Sequence, residues 1–295
     1  MSSKVSHMVS APCQGRADKK RFFVNDGQPG CEDRKMNKLS VYIVAYNEAD
    51  KIRAAVDSVK WADEIIVADS NSTDGTADIA RRMGAKVVQI PFNGFGDLRN
   101  RAIRSCTHEW VFSLDSDERC TPETQKEIQD ILASDPGCDA YYVPRKNFFM
   151  GKWIKHSGFY PDFRQPQLFR QGALVFANDA VHERYEVKTE KPIGVLEQPI
   201  HQVPYKNIEE MLEKANRYSS LGAEKLAGTD GSPGMTKAFF HASWSFFSLF
   251  FLKRGFLDGW AGFLIAFGNF QGTFYKYAKW YEHRNGLNYN DRTPG

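Results

Sequence analysis

Residues 110–117 read Trp-Val-Phe-Ser-Leu-Asp-Ser-Asp, a mostly apolar run that ends at two aspartates. A short apolar run bounded by polar residues is typical of a strand buried on both faces of a sheet. Three earlier segments of this kind alternate with segments of helical periodicity, with strands predicted at 39–45, 64–69 and 85–90 and helices at 49–59, 76–83 and 96–105. This alternation predicts an α/β fold whose mostly parallel sheet is flanked by helices and connected by right-handed crossovers.

The carboxyl ends of these strands carry polar side chains, and ligands of parallel sheets bind beyond those ends. The residues are Tyr46, Asn47 and Glu48 after the first strand, Asp69 at the end of the second, and Asp115 and Asp117 after the fourth. Two carboxylates two residues apart on a turn can hold a divalent cation through oxygen ligands. We therefore expect Asp115 and Asp117 to hold Mg²⁺ or Mn²⁺, which would bridge a diphosphate and neutralise charge on a leaving nucleotide.

The loops after the second and third strands supply further candidates. Asp69 is expected to accept a hydrogen bond from a base or a ribose, whereas residues 73–76 are expected to cap the next helix. Glycines in the segment 93–100 would let a phosphate approach the N–H groups at the start of the third helix. Arg99 and Asn100 are then candidates for contact with a diphosphate or a nucleoside, although a simple loop and cap would explain the same residues.

The composition is that of an ordinary folded protein, with 42% hydrophobic and 25% charged residues among 295. Residues 1–35 are polar and without periodicity, and their seven Lys/Arg against four Asp/Glu account for the whole net charge of +3. The remaining chain is neutral, which argues against a nucleic-acid-binding protein, because such a protein needs a basic face. Five cysteines without a CxxC pair, and the lack of an apolar secretory signal, favour the cytoplasm.

Three motifs in the first half of the chain resemble those of glycosyltransferase family 2, of the GT-A fold: Val44-Ala-Tyr-Asn-Glu48, the run 69–76 and Leu114-Asp-Ser-Asp-Glu118. The second half resembles a narrower group, the lipopolysaccharide core glucosyltransferases of the WaaE/KdtX type. Four segments carry that resemblance: Tyr160-Pro-Asp162, Gln167-Leu-Phe-Arg170, Val181-His-Glu183 and Lys253-Arg-Gly-Phe-Leu-Asp-Gly259. One departure is Gln167, where the group's pattern has Arg; if that Arg contacts donor or acceptor, the acceptor preference here would differ.

The resemblance implies an inverting glycosyltransferase that moves glucose from UDP-glucose to a heptose of the lipopolysaccharide inner core. The donor-binding candidates are then Tyr46, Asn47, Glu48, Asp69, Arg99, Asn100 and Asp115. Among them, Tyr46 and Glu48 are expected to flank the base, and Asp69 to contact uracil or ribose. Asp115 and Asp117 are expected to hold the ribose and the metal ion.

An inverting transfer needs a base that takes the proton of the acceptor hydroxyl. Glu183 is the first candidate because it stands in a His-Glu pair after the sheet, and Asp162 is the second; a loop salt bridge is the alternative for either. His182 is expected to bind the metal or to orient the acceptor. Arg164 and Arg170 are candidates for contact with a phosphorylated acceptor, since Arg suits bidentate phosphate contacts.

The C-terminal part of the chain is crowded with aromatic residues. Residues 238–252 carry no formal charge, but they are too few for a membrane-spanning helix, which needs about 20. Because Lys253 and Arg254 follow directly, we expect helices that lie in the membrane interface. A core or oligomer face and a membrane hairpin are the alternatives. The enzyme would be cytoplasmic and peripheral on the inner membrane, within reach of a lipid-linked acceptor.

We therefore expect three regions: a disordered extension at 1–35, a GT-A catalytic domain at 36–205 and a helical, membrane-associated region at 206–295. Within the catalytic domain, residues 36–120 would bind the nucleotide sugar and residues 121–205 the acceptor. The expected partners are a UDP-sugar, a lipopolysaccharide core or other lipid-linked acceptor and the membrane surface, but no nucleic acid. Two alternatives share the donor motifs: transfer to a polyprenyl phosphate, and a non-catalytic nucleotide-binding membrane scaffold.

Overall fold

The computed structural model describes residues 37–134, 137–177, 184–229, 231–232 and 234–286. The chain forms two compact units, the first made of Met1–Pro144 and Phe163–Ile200 and the second of Arg145–Asp162 and His201–Gly295. The extension expected at 1–35 lies outside the described residues.

The strands of the described residues are, in chain order, β1 (Leu39–Ala45), β2 (Glu64–Asp69), β3 (Lys86–Gln89), β4 (Trp110–Asp115), β5 (Glu118–Arg119), β6 (Ala140–Tyr142), β7 (Arg145–Phe149), β8 (Lys152–Ile154), β9 (Pro166–Arg170), β10 (Leu174–Phe176), β11 (Tyr185–Val187), β12 (Ile193–Val195) and β13 (Ile200–Gln202). The helices are α1 (Ala49–Asp57), α2 (Thr76–Arg82), α3 (Phe95–Ser105), α4 (Pro122–Ala133), α5 (Ile208–Ala227), α6 (Met235–Phe247) and α7 (Trp260–Arg284). A π-helical segment, Ser248–Leu252, and a 3-10 turn, Gly255–Asp258, lie between α6 and α7.

The first unit is built on a seven-stranded sheet with the strand order β12-β6-β9-β4-β1-β2-β3. β1 pairs in parallel with β2 and β4, and β2 pairs in parallel with β3, whereas β9 runs antiparallel to β4 and β6. The register pairs Ala45 with Asp69 and Val44 with Asp115, so the carboxyl ends of β1, β2 and β4 lie at one edge. The predicted α/β fold with a mostly parallel sheet and flanking helices is confirmed.

The central strands are buried on both faces of this sheet. Val41 and Ile43 on β1 and Phe112 on β4 belong to one apolar cluster, while Tyr42 and Val111 belong to the cluster on the other face. Strands buried on both faces read as continuous apolar runs, which is why the pattern of residues 110–114 predicted β4 correctly. Each such side chain, fully buried, contributes about 1.5–3 kcal/mol of transfer free energy.

The second unit packs the β7–β8 hairpin against the C-terminal helices. Its core consists of Phe149, Ile154, Met211, Ala261 and Ile265. Residues 145–162 therefore group with the C-terminal helices, whereas the sequence predicted a boundary at 205/206. The start of α7 approaches the 3-10 turn closely, because a Cβ at Gly262 would overlap the carbonyl oxygen of Gly255.

Exposed aromatic side chains are abundant on α6, α7 and the segments between them. They include Phe239, Phe240, Trp244, Phe247, Phe251, Phe256, Trp260, Phe267, Tyr275 and Tyr281. The predicted aromatic-rich C-terminal helical segment is thus present. No helix in the described part of the chain is long and apolar enough to cross a membrane.

Candidate active site

Two loops are joined by hydrogen bonds at the carboxyl edge of the sheet: the β1 loop, residues 46–48, and the β2 loop, residues 70–75. The backbone N–H of Asn47 donates to Ser72 Oγ (2.9 Å), and the N–H of Thr73 donates to Asn47 Oδ1 (2.9 Å). Asn47 adopts the left-handed conformation, with φ of 52°, which Asn tolerates better than most residues. The two loops therefore form one surface beyond neighbouring strands.

Asp69 lies buried beneath this surface. Its carboxylate accepts hydrogen bonds from the N–H of Ser72 (3.1 Å) and from the hydroxyl of the same residue. Because Asp69 has no exposed area, its direct effect in this structure is to shape the β2 loop. Tyr46 differs, since its side chain is 56% exposed and its ring is accessible to a ligand.

Asp74 connects the starts of α1 and α2. Its carboxylate accepts hydrogen bonds from the N–H groups of Ala49 (2.9 Å) and Thr76 (3.0 Å), and Glu48 N–H donates to Thr76 Oγ1 (2.8 Å). Burial acts to raise the pKa of the Asp74 carboxyl, but the hydrogen bonds from Thr76 and Ala49 together hold it below its ordinary value. Within the segment 73–76, for which capping is predicted, the carboxylate of Asp74 accepts at the start of α2, and it also accepts at the start of α1.

Arg99 on α3 holds the carboxylate of Asp115 in place. Its Nη2 donates to Asp115 Oδ1 (2.9 Å) and its Nη1 donates to Ser113 Oγ (3.2 Å). The buried guanidinium also lies over the ring of Phe176, 5.7 Å from the ring centroid. Burial raises the pKa of the adjacent Tyr42 to about 12, so its phenol stays neutral at physiological pH. The buried side chain of Arg99 thus holds the carboxylate of Asp115 at the end of β4.

A buried carboxylate, Glu118, supports the turn that follows β4. Its Oε2 accepts hydrogen bonds from the backbone N–H of Asp115 (2.9 Å) and from Gln167 Nε2 (3.0 Å). The same Gln167 amide donates to the carbonyl oxygen of Ser113 (3.1 Å). Gln167 is buried and its amide supports this turn, so the side chain presents no surface that an acceptor could contact.

Asp117 is half-buried at the same turn, in a mixed charge environment. Arg119 Nη1 donates to the carbonyl of Ser116 (2.7 Å) and its Nη2 to the carbonyl of Lys51 (2.9 Å). Burial lowers the pKa of the Arg119 guanidinium, while the negative charges of Asp117 and Glu48 act in the opposite direction. The ammonium of Lys51 forms an ion pair with Glu48 (3.2 Å). Arg119 and Lys51 therefore place positive charge close to the carboxylates of this edge.

Comparison with known proteins identifies the family. Residues 40–183 match the family model for glycosyl transferase family 2. An uncharacterized glycosyltransferase of Rickettsia bellii (strain RML369-C) is 33% identical over 251 residues, which are 79% of this chain and 84% of that relative. The chain belongs to glycosyltransferase family 2.

Two further comparisons concern proteins with more specific names. The lipopolysaccharide core biosynthesis glycosyltransferase LpsC of Rhizobium meliloti (strain 1021) is 25% identical over 254 residues, covering 83% of this chain and 92% of that protein. A crystal structure of glucosyl-3-phosphoglycerate synthase from Mycobacterium tuberculosis, in complex with Mn²⁺, UDP and glucosyl-3-phosphoglycerate, aligns with a TM-score of 0.33 and 27% identity. That alignment covers 43% of this chain and about half, 51%, of the synthase.

In this glycosyltransferase, the side chain of Asn100 binds the backbone of Phe176 and not the residues at the carboxyl edge of the sheet. Its Nδ2 donates to the carbonyl of Phe176 (2.8 Å), and its Oδ1 accepts from the N–H of Phe176 (3.0 Å). Both ends of the amide therefore tie α3 to β10, and the donor contact predicted for Asn100 stays a prediction. β10 pairs antiparallel with β11, and Asn100 anchors the strand that precedes the segment 178–183.

Arg170 lies at the far end of β4 from the aspartates. The register pairs it with Trp110, the first residue of that strand, whereas Asp115 is the last. Arg170 forms ion pairs with Glu109 (2.5 Å) and Asp139 (3.2 Å), and its guanidinium lies 5.1 Å from the ring centroid of Trp110. Arg170 therefore joins strand ends through these contacts, and the acceptor contact predicted for it stays a prediction.

The remaining acceptor-side candidates are Arg164, Asp162, His182 and Glu183. Arg164 is exposed in the first unit, and Asp162 is half-buried in the second, where its carbonyl accepts from Arg145 Nη1 (3.1 Å). His182 and Glu183 lie outside the described residues. Within the described residues, no three His, Cys, Asp or Glu side chains are grouped so that they could hold a metal ion by themselves.

Three residues of this edge were not singled out as functional by sequence reasoning. The sequence predicts only a cap at Asp74, and it shows Glu118 only as the end of a motif and Gln167 only as a departure from a pattern. The available signal was the position of Glu118 directly after the Asp-Ser-Asp run. Its partner Gln167 comes from an antiparallel strand 49 positions away, which local patterns do not reveal.

Proposed function

We propose that this glycosyltransferase transfers glucose from UDP-glucose to a sugar of the lipopolysaccharide inner core, with inversion at the anomeric carbon. The observation that carries the proposal is the placement of Asp115 and Asp117 after β4, next to the joined β1 and β2 loops. The likeness to LpsC, a lipopolysaccharide core biosynthesis glycosyltransferase by name, supports the choice of acceptor.

The β1 and β2 loops would bind the nucleoside of the donor. Tyr46 offers an exposed ring on which a base can stack, a contact worth about 1–3 kcal/mol in other base-binding proteins. Glu48 lies on the same loop and would contribute a carboxylate, held by Lys51, while Asn47 fixes the loop conformation. Asp69 would act through Ser72, whose hydroxyl it orients at the surface that faces the base or the ribose.

The turn after β4 fits a divalent cation of the kind that is held mostly by substrate phosphates and water. Mg²⁺ in such sites takes only one or two carboxylates from the protein, and both Asp115 and Asp117 offer hard oxygen ligands. Asp117 would be the principal ligand, since one oxygen of Asp115 is bound by Arg99. Mg²⁺ or Mn²⁺, when bound, would neutralise negative charge on the leaving UDP.

Glu183 is proposed as the base, with Asp162 as the second candidate and His182 as a neighbour that orients the acceptor or binds the metal. The carboxylate would take the proton of the acceptor hydroxyl as its oxygen forms a bond to the anomeric carbon. The bond between that carbon and the UDP oxygen breaks in the same displacement, which inverts the configuration. Arg164, exposed in the first unit, would contact a phosphate on the acceptor.

The exposed aromatic surface of the second unit would hold the enzyme at the cytoplasmic face of the inner membrane. Phe240, Trp244 and Trp260 are 67%, 61% and 75% exposed and belong to a larger group of exposed aromatic side chains, which is typical of an interaction surface. Trp and Phe beside Lys253 and Arg254 suit the interface between lipid and water. A lipid-linked acceptor cannot leave the bilayer, so such an attachment would keep the site within its reach.

The transferase proposal is tested by UDP release from UDP-glucose with Mg²⁺ or Mn²⁺, with and without a truncated lipopolysaccharide core. We expect release to rise with the acceptor and to fall at least about a hundredfold in Asp117→Asn and in Glu183→Gln. The matched control is Asp130→Asn, which removes an equally sized carboxylate from an exposed pair on α4 and leaves turnover unchanged.

Three outcomes would replace the proposal. Activity indifferent to Asp117 would exclude the metal site at this turn. Turnover that ignores the core but responds to a polyprenyl phosphate would keep the donor chemistry and change the acceptor. Binding of UDP without any release from a UDP- or GDP-sugar would favour a non-catalytic scaffold.

The membrane part is tested separately by flotation with phosphatidylcholine vesicles that contain phosphatidylglycerol. Trp260→Ala is expected to weaken vesicle binding about tenfold, because the ring no longer enters the interface. Phe92→Ala removes a similarly exposed ring from the first unit and serves as the control. Unchanged vesicle binding, together with a change of oligomeric state in Trp260→Ala, would assign the aromatic surface to contacts between copies of the chain.

A further inference from the structure

A cavity of about 240 Å³ lies between α5 and α7 in the second unit. Phe159, Met211 and Ile265 line it with apolar atoms, whereas Lys276 and Thr273 line it with an ammonium and a hydroxyl. Pockets for drug-sized ligands are commonly about 300–1,000 Å³, so this cavity suits a single headgroup-sized ligand. Its mixed lining calls for a ligand that is charged at one end and apolar at the other.

Lys276 carries the positive charge of the cavity. Its pKa is lowered by burial, its ammonium lies 5.1 Å from the ring centroid of Tyr277, and no carboxylate of the described residues forms an ion pair with it. Lys214, which also lines the cavity, is paired with Glu210 at 3.3 Å. The charge of Lys276 is thus the one that a bound anion would balance.

Two helix glycines lie beside the cavity or beside Lys276. A Cβ at Gly272, which lines the cavity on α7, would meet no atom within 4 Å. A Cβ at Gly222 on α5 would come within 2.7 Å of the Lys276 side chain. Glycine inside a helix is unfavourable compared with other residues, so local helix stability does not explain either position. Gly222 therefore leaves room for the Lys276 side chain, and Gly272 borders the open space of the cavity.

We propose that this cavity binds the phosphate group of an amphiphile, with Lys276 contacting the phosphate and the wall of Phe159, Met211 and Ile265 receiving the first carbons of the apolar chain. Lysine is a common phosphate contact, and it acts as a point charge. The binding does not depend on the transfer reaction or on UDP-glucose.

Calorimetric titration with dihexanoyl phosphatidylglycerol below its micelle concentration tests the proposal without a membrane surface. We expect saturable binding that Lys276→Met weakens at least about tenfold, because the charged contact to the phosphate is lost while the apolar stem is kept. Lys276→Arg retains the charge and most of the binding. Lys225→Met removes the same charge from an exposed site on α5 and leaves binding unchanged.

Gly272→Leu provides a second, independent test. The new side chain fills the cavity while helix propensity improves, so binding should disappear without a fall in thermal stability. Equal binding in the wild type, Lys276→Met and Gly272→Leu would overturn the proposal. Equal affinity for glycerol phosphate would show a free phosphate site, and equal affinity for a neutral dihexanoyl glycerol would show an apolar pocket; either result excludes the amphiphile. All titrations omit UDP-glucose and acceptor, so failure of the transferase proposal would leave their result unchanged.

Discussion

Replacing Gln167 with Met tests whether the turn after β4 depends on its buried support. Met is close to Gln in size and shape but cannot donate to Glu118 or to the Ser113 carbonyl, which Gln167 reaches at 3.0 and 3.1 Å. A hydrogen bond to a charged group contributes about 1.5–3 kcal/mol, and the carboxylate of Glu118 is fully buried. We therefore expect the free energy of unfolding to fall by about 2–3 kcal/mol.

The same variant should also lose turnover. Glu118 fixes the backbone N–H of Asp115, so a loosened Glu118 lets the Asp115–Asp117 turn move. Misplacement of catalytic groups by about 1 Å can cost about a hundredfold in rate, and we expect a ten- to hundredfold decrease in kcat. The assay pairs thermal unfolding, where about 2–4 °C is lost per kcal/mol for a unit of this size, with UDP release at saturating UDP-glucose.

Gln171→Met is the matched control for this variant. Gln171 also donates twice through Nε2, to the carbonyls of Cys106 and His108 (both 2.9 Å), but it is exposed and far from Asp115. It should lose less than about 1 kcal/mol and keep its kcat. If Gln167→Met matched Gln171→Met in both readouts, the support of the turn by Gln167 and Glu118 would be refuted.

Three further predictions concern other parts of the first unit. Asn100→Ala should lower stability by about 1–2 kcal/mol and reduce kcat with little change in KM for UDP-glucose, because its amide anchors Phe176 ahead of Glu183; steady-state kinetics and thermal unfolding check this. Asp74 has a depressed pKa, so the stability that its carboxylate gives the folded protein is present above the unfolded pKa of about 3.9 and is lost as the pH falls through the folded pKa. Urea midpoints measured between pH 3 and 7 should therefore fall at the acid end in the wild type but not in Asp74→Asn. Arg170→Ala should lower the urea midpoint while kcat and KM stay within about twofold, since Arg170 joins strand ends; a larger rise in KM for the acceptor would restore its predicted contact.

The fold could be predicted from the sequence because its determinants are local. The apolar runs 39–45, 64–69 and 110–114 coincide with β1, β2 and β4 to within one residue. Such runs must be buried on both faces, and alternation with amphipathic helices leaves a parallel sheet as the simple solution. What could not be predicted is that residues 145–162 pack with the C-terminal helices, because that grouping depends on a cluster of residues far apart in sequence, among them Phe149 and Ile265.

The candidate site also contains residues whose position local sequence determines and residues whose contacts depend on distant parts of the chain. Tyr46 and Asp117 follow their strands directly, so the sheet alone brings them to one edge. The sequence predicts roles for Arg99 and Asn100 from their place at the start of α3, and for Arg170 from residue type, since Arg suits bidentate phosphate contacts. In the structure these three side chains bond to other parts of the protein. Their partners lie on other strands or join a helix to a strand, so the local sequence does not reveal them.

Arg99 shows why residue type alone misleads at such an edge. A cation four positions into a helix that follows a glycine-containing loop is well placed for a diphosphate, yet its side chain extends to Asp115, 16 residues away. The buried ion pair has a chemical consequence: a fixed guanidinium beside Asp115 offsets part of the charge that would otherwise repel a diphosphate from two adjacent aspartates. Removal of Arg99 would therefore weaken donor binding even without any direct contact between Arg99 and the donor. Arg99, which the sequence assigns to the donor, would then affect donor binding through the carboxylate of Asp115. Arg99→Lys keeps the charge but not the two-nitrogen contact, so it separates this indirect effect from a direct contact between Arg99 and the donor.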